Sequence, residues 1–160
     1  MITAIGLTAI ALAALLNDVN ADFIARVENT EWLDSAGKPI PRVLRDADGN
    51  VEHLRLSDMK LSADDFAAIG RLRTLRFLSL YRTNVTNVDL RQLRELPRLE
   101  GLNLTSTEVT DAAIDEILKL ESIRSLCLGN VAITPAAVAR LKEHFRTQNR
   151  RLSLGYAQRK

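Results

Sequence analysis

The sequence is short of the residues from which catalytic and metal centres are usually made. It has one cysteine and two histidines in 160 residues. A single cysteine excludes an internal disulfide framework. The two histidines, His53 and His144, stand about ninety positions apart and form no metal-spaced cluster with Cys or Asp. No glycine-rich phosphate loop and no nucleophile elbow is present. Enzymatic chemistry is therefore not expected, and neither a cofactor nor a metal is called for. Aromatic residues make up only 4% of the chain, and no aromatic interleaving or nucleic-acid motif accompanies its basic residues, so nucleic acid is not an expected partner. Residues 1–16 contain no charged side chain, but the run is too short for an ordinary membrane span.

What the chain does have is one pattern written four times. Val51-x-x-Leu54-x-Leu56, Leu75-x-x-Leu78-x-Leu80, Leu99-x-x-Leu102-x-Leu104 and Ile123-x-x-Leu126-x-Leu128 each begin 24 residues after the last. Leu152-x-Leu154 is a fifth, imperfect copy. The register extends further. An apolar residue follows each copy (Leu61, Val85, Val109, Ile133), then a hydroxyl residue (Ser62, Thr86, Thr110, Thr134), then apolar columns at helical spacing such as Phe66, Leu90, Ile114 and Val138. Alternation in Leu-x-Leu predicts a short strand with one buried face. The hydroxyl residues are predicted helix N-caps, with Ser62/Asp65 and Thr86/Asp89 as capping boxes and Pro135 at a first helical position. Strands joined by helices pair in parallel with right-handed crossovers, and neighbouring units bury each other's apolar faces.

A fixed period in this range marks a stacked-repeat protein. The consensus, with the turn segments Leu104-Thr-Ser-Thr-Glu-Val-Thr-Asp111 and Leu80-Tyr-Arg-Thr-Asn-Val-Thr-Asn87, resembles the bacterial 24-residue class of leucine-rich repeats. The resemblance covers about two thirds of the chain. It implies an α/β solenoid, a right-handed β-α superhelix with short parallel strands on its concave face and helices on its convex face. It also implies a protein-interaction scaffold and supplies no catalytic residues. Where the family often has an asparagine ladder, this chain has Met59, Thr83, Thr107 and Val131. Met and Val cannot bond a turn backbone, so looser turns are expected in the end repeats.

Three segments follow from this reading. Residues 1–20 are an apolar N-terminal segment, either a signal peptide with Val19-Asn-Ala21 as cleavage site or a capping helix. Residues 21–50 form an N-terminal cap with a short helix bearing Phe23, Ile24 and Val27, a brief strand at Glu31-Trp32-Leu33, and a hairpin turning at Asp46–Asn50, with Trp32 plugging the core. Residues 51–160 are the repeats, ending in a frayed Gly155–Lys160. The Asp46-x-Asp48-x-Asn50 spacing fails the calcium-loop pattern, since Gly49 is fourth rather than sixth, and is read as a hairpin turn. Net charge is +2. The last 21 residues carry seven cations against Glu143, or +6, which leaves −4 for the rest. This basic end is read as a solvated cap.

Residues flanking the buried leucines point the other way and form concave columns: His53, Phe77, Gly101, Ser125, Arg151; Arg55, Ser79, Asn103, Cys127, Ser153; and Ser57, Tyr81, Thr105, Gly129, Gly155. Cys127 is read as a small residue tolerated on that face. The candidate partner-binding set is His53, Arg55, Phe77, Ser79, Tyr81, Arg82, Asn103 and Thr105, because exposed aromatic and Arg side chains anchor protein interfaces. The expected function is a non-enzymatic protein-interaction module, monomeric, whose partner meets the concave face. The alternative is a structural or envelope-tethered spacer with no specific concave ligand. A membrane would be met only through residues 1–20, and an extracytoplasmic location is favoured slightly over a cytoplasmic one.

If residues 1–20 are a signal, the intact mass of protein recovered outside the cytoplasm is short by roughly the first 21 residues. Full-length soluble protein inside the cell contradicts the signal reading.

Overall fold

The computed structural model describes residues 20–33 and 36–158. The signal-or-cap question concerns residues 1–19 and lies outside the described residues. Residues 20–28 form helix α1. Then come β1 (Val43–Arg45), β2 (Val51–Arg55), α2 (Ala63–Gly70), β3 (Phe77–Ser79), a 3₁₀ segment (Asp89–Glu95), β4 (Gly101–Asn103), α3 (Ala113–Ile117), β5 (Ser125–Val131), α4 (Pro135–Thr147) and β6 (Ser153–Gln158). Among the described residues no helix is long and apolar enough to cross a membrane.

The strands form one sheet in sequence order. β1 and β2 are an antiparallel hairpin, and the remaining pairs are parallel. Leu54, Leu78, Leu102 and Leu126 stand side by side across β2–β5. They are buried, as are Leu56, Leu80, Leu104 and Leu128 in the neighbouring row. These rows share one core with Phe66, Ile69, Leu90, Leu93, Ile114, Ile117, Val138 and Leu141 of the crossovers. The helical crossovers thus cover the leucine face of the sheet, and α2 packs on the 3₁₀ segment, which packs on α3.

The turns after β2, β3 and β4 repeat a backbone feature that the leucine pattern does not announce. Asp58, Arg82 and Ser106 have positive φ, between 54° and 63°, and Asn130 at the corresponding position within β5 has it too (52°). In the three turns this left-handed residue closes the turn, and its N–H bonds the next unit, as Asp58 to the Tyr81 carbonyl (3.0 Å) and Arg82 to that of Thr105 (3.0 Å). Thr83 and Thr107 donate to the Leu80 and Leu104 carbonyls at 2.8 and 2.6 Å. The expected loosening at Met59 does not occur, since its N–H still reaches the Leu56 carbonyl at 3.1 Å. At Val131 there is no tight turn to loosen, because β5 runs on through it.

The caps divide. Ser62 and Asp65 form the full capping box of α2, and Thr134 caps α4 by accepting from the Ala137 N–H. Thr86 instead donates its hydroxyl to Asp89 (2.7 Å), because its crossover is 3₁₀ and begins three residues later. Thr110 caps nothing: α3 starts at Ala113 with no side-chain cap. Its hydroxyl and N–H are held by Asn87 at 2.8 and 2.9 Å, and Asp111 holds Thr134 in the same way one unit later. Thr110 and Thr134 therefore receive stitches from the preceding unit, and only Thr134 also caps a helix.

At the N-terminal end, Phe23, Ile24 and Val27 of α1 are buried, as expected. Trp32 is not the plug. It stays half-exposed, with the Arg42 guanidinium 5.6 Å over its ring. Arg42 is the buried one, donating to the carbonyls of Thr30, Arg55 and Ser57. A guanidinium can serve several carbonyls at once, which an indole with one donor cannot. Burial lowers the Arg42 pKa, partly countered by the charge of Asp58. The Glu31–Leu33 strand shrinks to one bridge, Leu33 to Pro39. Asp46 closes the hairpin by accepting from the N–H groups of Asp48 and Asn50 at 3.0 and 2.9 Å, as a turn residue.

At the other end, the final segment is not frayed through Gly155: β6 runs to Gln158, and the Tyr156 hydroxyl donates to the Ile133 carbonyl at 2.8 Å. Ser125 pairs with Ser153, so the last repeat is 28 residues long. Arg150 fills the added turn, donating to the Leu120 and Ile123 carbonyls and lying 4.5 Å over the Phe145 ring. Arg140 pairs with Asp115, and Arg146 with Glu143. Much of the basic end is thus engaged in the fold.

Leu126→Ala is expected to lower unfolding free energy by about 2–5 kcal/mol, measured by urea denaturation; a loss below ~1 kcal/mol would contradict mutual burial of the units. Glu100 has its pKa lowered, chiefly by its hydrogen bond from Arg76. A carboxylate with a depressed folded pKa stabilises above its unfolded pKa, and the contribution is lost as pH falls through the folded value, on the acid side of the ordinary carboxylate range. Arg76→Met is expected to lower the melting temperature at neutral pH and to flatten its decline on the acid side; an unchanged acid limb would contradict the pairing.

Candidate functional site

The residues flanking the buried leucines of β2–β5 face away from the helices. The register places His53, Phe77, Gly101, Ser125 and Ser153 in one row, and Arg55, Ser79, Asn103, Cys127 and Gly155 in the next. Gly129 pairs with Ala157. The last member of each expected row is therefore displaced by two positions, because the final repeat is four residues longer than the others. Ser57 also departs from expectation: it is buried, its carbonyl taken by Arg42.

The two rows enclose a shallow depression of about 220 Å³, lined by His53, Arg55, Phe77, Ser79, Asn103 and Cys127 among others. Five of the eight sequence-derived candidates meet there: His53, Arg55, Phe77, Ser79 and Asn103. Tyr81, Arg82 and Thr105 do not line it. They lie at the C-terminal ends of the strands, where Arg82 pairs with Asp58 at 3.1 Å and stands 5.9 Å over the Tyr81 ring.

Phe77 is the centre of the arrangement. Its ring lies 4.4 Å from that of His53, tilted by 30°. On the other side it lies across Gly101, where a Cβ would stand 2.5 Å from Phe77 Cδ1. The glycine is required by close approach, since no side chain fits beneath the ring. Thr105 leans over Gly129 in a looser version of the same arrangement, with 3.1 Å between its Cγ2 and a Cβ placed there. The ring is half-buried, held flat against the sheet and open to solvent on its outer side.

A ladder that the leucine pattern did not reveal flanks the aromatic pair. Arg76 donates to Glu52 at 2.9 Å and to Glu100 at 3.0 and 3.2 Å, and its guanidinium lies 5.5 Å from the Phe77 ring. These bonds raise the Arg76 pKa further above its ordinary value. Its signal was present in the sequence: Glu52, Arg76, Glu100 and Arg124 alternate in charge at the 24-residue period. Inside the depression, Arg55 gives one N–H to the Pro41 carbonyl at 2.8 Å and Asn103 accepts from the Thr105 N–H at 2.9 Å, which fixes both side chains. The floor presents no carboxylate. Cys127 is a free, half-buried thiol there. His53 on β2 and His144 on α4 are at opposite ends of the strand order, and among the described residues no three His, Cys, Asp or Glu side chains converge as a metal site would require.

Fold and site together describe a mixed α/β repeat protein on a six-stranded, mostly parallel sheet, with an aromatic-centred depression on its uncovered face. No family model matches the chain, and no curated protein matches it in sequence. Solved structures are similar to it in fold. One, described as Leiomodin-1 actin-binding site 2, has 13% identity over 66% of this chain and 69% of that one, with a TM-score of 0.52. Another, the PEPR1–AtPEP1 complex, has 15% identity over 88% of this chain and 24% of that one, with a TM-score of 0.48. At such identities the likeness is one of architecture.

Gly101→Ala is expected to drive the Phe77 ring off the sheet while the chain still folds. The His53 ring-proton shifts, perturbed by the aromatic face above them, then move toward solvent values in NMR spectra. Unchanged shifts would show that the ring is not held by the glycine.

Proposed function

We propose that this chain is a leucine-rich repeat solenoid that works as a non-enzymatic recognition module, with a protein partner seated on the concave face around Phe77. The observation that carries this reading is the Phe77 ring, paired with His53 on one side and laid over Gly101 on the other. A glycine is kept in a strand, where it weakens the fold, in a position that lets an aromatic ring lie open to solvent. That arrangement contributes little to the core and makes a rigid apolar anchor. Rigid aromatic anchors beside fixed polar groups are typical of the energetic centres of protein interfaces. Arg55 and Asn103 supply the polar groups, already oriented by bonds to the backbone. Tyr81 and Arg82 extend the surface toward the strand ends. The fold-level similarity to a solved structure titled as an actin-binding site is compatible with such a role and does not indicate which protein is bound.

The double substitution Phe77→Ala with Tyr81→Ala is expected to leave the melting temperature within a few degrees of the parent and to abolish partner capture from the native host, read by quantitative affinity mass spectrometry. Val88→Ala, on the exposed opposite side, is expected to leave capture intact. Capture unaffected by the double substitution contradicts the concave-face reading.

A further inference from the structure

The two edges of the sheet are built differently. β1 is three residues long, its register breaks between Leu44 and Arg45, and Pro39 and Pro41 precede it. Short, bulged edges flanked by proline resist pairing with other chains. β6 is six residues long and contains neither proline nor a charged residue. Among the described residues nothing pairs with its outer edge.

The phase of β6 is fixed by one bond. The Ser153 N–H donates to the Arg124 carbonyl at 2.8 Å, which turns the backbone groups of residue 153 toward β5. Alternation then turns those of Leu152, Leu154 and Tyr156 outward. The same residues carry the apolar side chains of the strand's inner face, where Leu154 pairs with Leu126 and Tyr156 with Leu128. Leu126 and Leu128 are fully buried, while Leu152, Leu154 and Tyr156 are left half-covered. Unpaired backbone and uncovered apolar surface therefore coincide on three residues. The sequence there, Leu152-Ser-Leu-Gly-Tyr156, reads large-small-large-small-large in both directions about Leu154.

We propose that β6 pairs antiparallel with β6 of a second copy of this chain, about a two-fold axis at Leu154. That register sets Leu154 against its own counterpart and Leu152 against Tyr156. Each of the three facing pairs exchanges two backbone hydrogen bonds. The apolar side chains of both copies merge into one row on the helix side of the joined sheet. On the uncovered face Ser153 meets Gly155 and Arg151 meets Ala157, so among the described residues no two bulky or like-charged side chains stand directly opposite. A two-fold contact requires a surface complementary to itself, and the symmetric size pattern about Leu154 meets that requirement. It selects a second copy over an unrelated strand.

Sedimentation equilibrium on the 160-residue protein tests this, together with amide hydrogen exchange. The wild type is expected at twice 17.8 kDa at micromolar concentration, with Leu154 and Tyr156 amides whose protection rises with concentration. Leu154→Lys and Leu154→Glu are each expected to be folded single chains, and an equimolar mixture to recover the doubled mass, because unlike charges then face each other across the axis. A wild type that stays a single chain with fast exchange at Leu154 and Tyr156 overturns the proposal, and this holds even where the substituted chains fail to fold. It is also overturned by a dimer that survives Leu154→Lys, by folded Lys and Glu variants that do not recombine, or by protection that appears only when a different protein is added.

Discussion

The structure depends on the inability of any one unit to bury its own leucines. Leu78 and Leu80 have a strand's width of cover from their own segment, and the rest comes from β2 on one side and β4 on the other. Once that burial demands parallel strands in register, everything else in the unit inherits the same spacing. The Glu52–Arg76–Glu100 ladder, the Asn87–Thr110 and Asp111–Thr134 stitches and the positive-φ residues at 58, 82, 106 and 130 all recur in step with the leucines. The polar groups occupy the margins of the sheet, where they specify which unit neighbours which. The burial itself provides most of the stabilisation, at about 25 cal/mol per Å² of apolar surface.

The same constraint creates the uncovered face. A strand that commits alternate residues to the core leaves the others free of any structural duty. Along β3–β5 these are mostly small, and Phe77 is the exception. Its ring is accommodated by Gly101 next door, held by His53 on the other flank, and bordered by a guanidinium already committed to two carboxylates. Arg55, Ser79 and Asn103 on this face are hydrogen-bonded to neighbouring backbone or side chains, so docking of the proposed partner there would cost less ordering entropy.

Much of the fold was legible because burial dictates periodicity. The strand positions, the leucine rows, the hairpin at Asp46–Asn50 and the caps at Ser62 and Thr134 follow from apolar spacing and cap chemistry alone. What was not legible depended on contacts between units. Thr110 looks like Ser62 in sequence, and only the presence of Asn87 one unit earlier shows that its hydroxyl is occupied. Trp32 looked like the natural plug because it is large and apolar, but three unpartnered carbonyls at that end needed donors, and Arg42 supplies them. The register of β6 depended on how far Arg150 and its turn carry the chain past α4, which no periodicity encodes. Of the candidate surface, the residues in strands fell where alternation put them, and those past the strand ends, Tyr81, Arg82 and Thr105, fell outside the depression because the turn rotates them away.

The most direct measurement is site-specific photocrosslinking in the native host, with a photoreactive residue placed at Ser79 in the depression or at Val88 on the exposed opposite side. One discrete protein adduct is expected from position 79 and none from position 88. An adduct from position 88 with none from position 79 would contradict the concave-face reading.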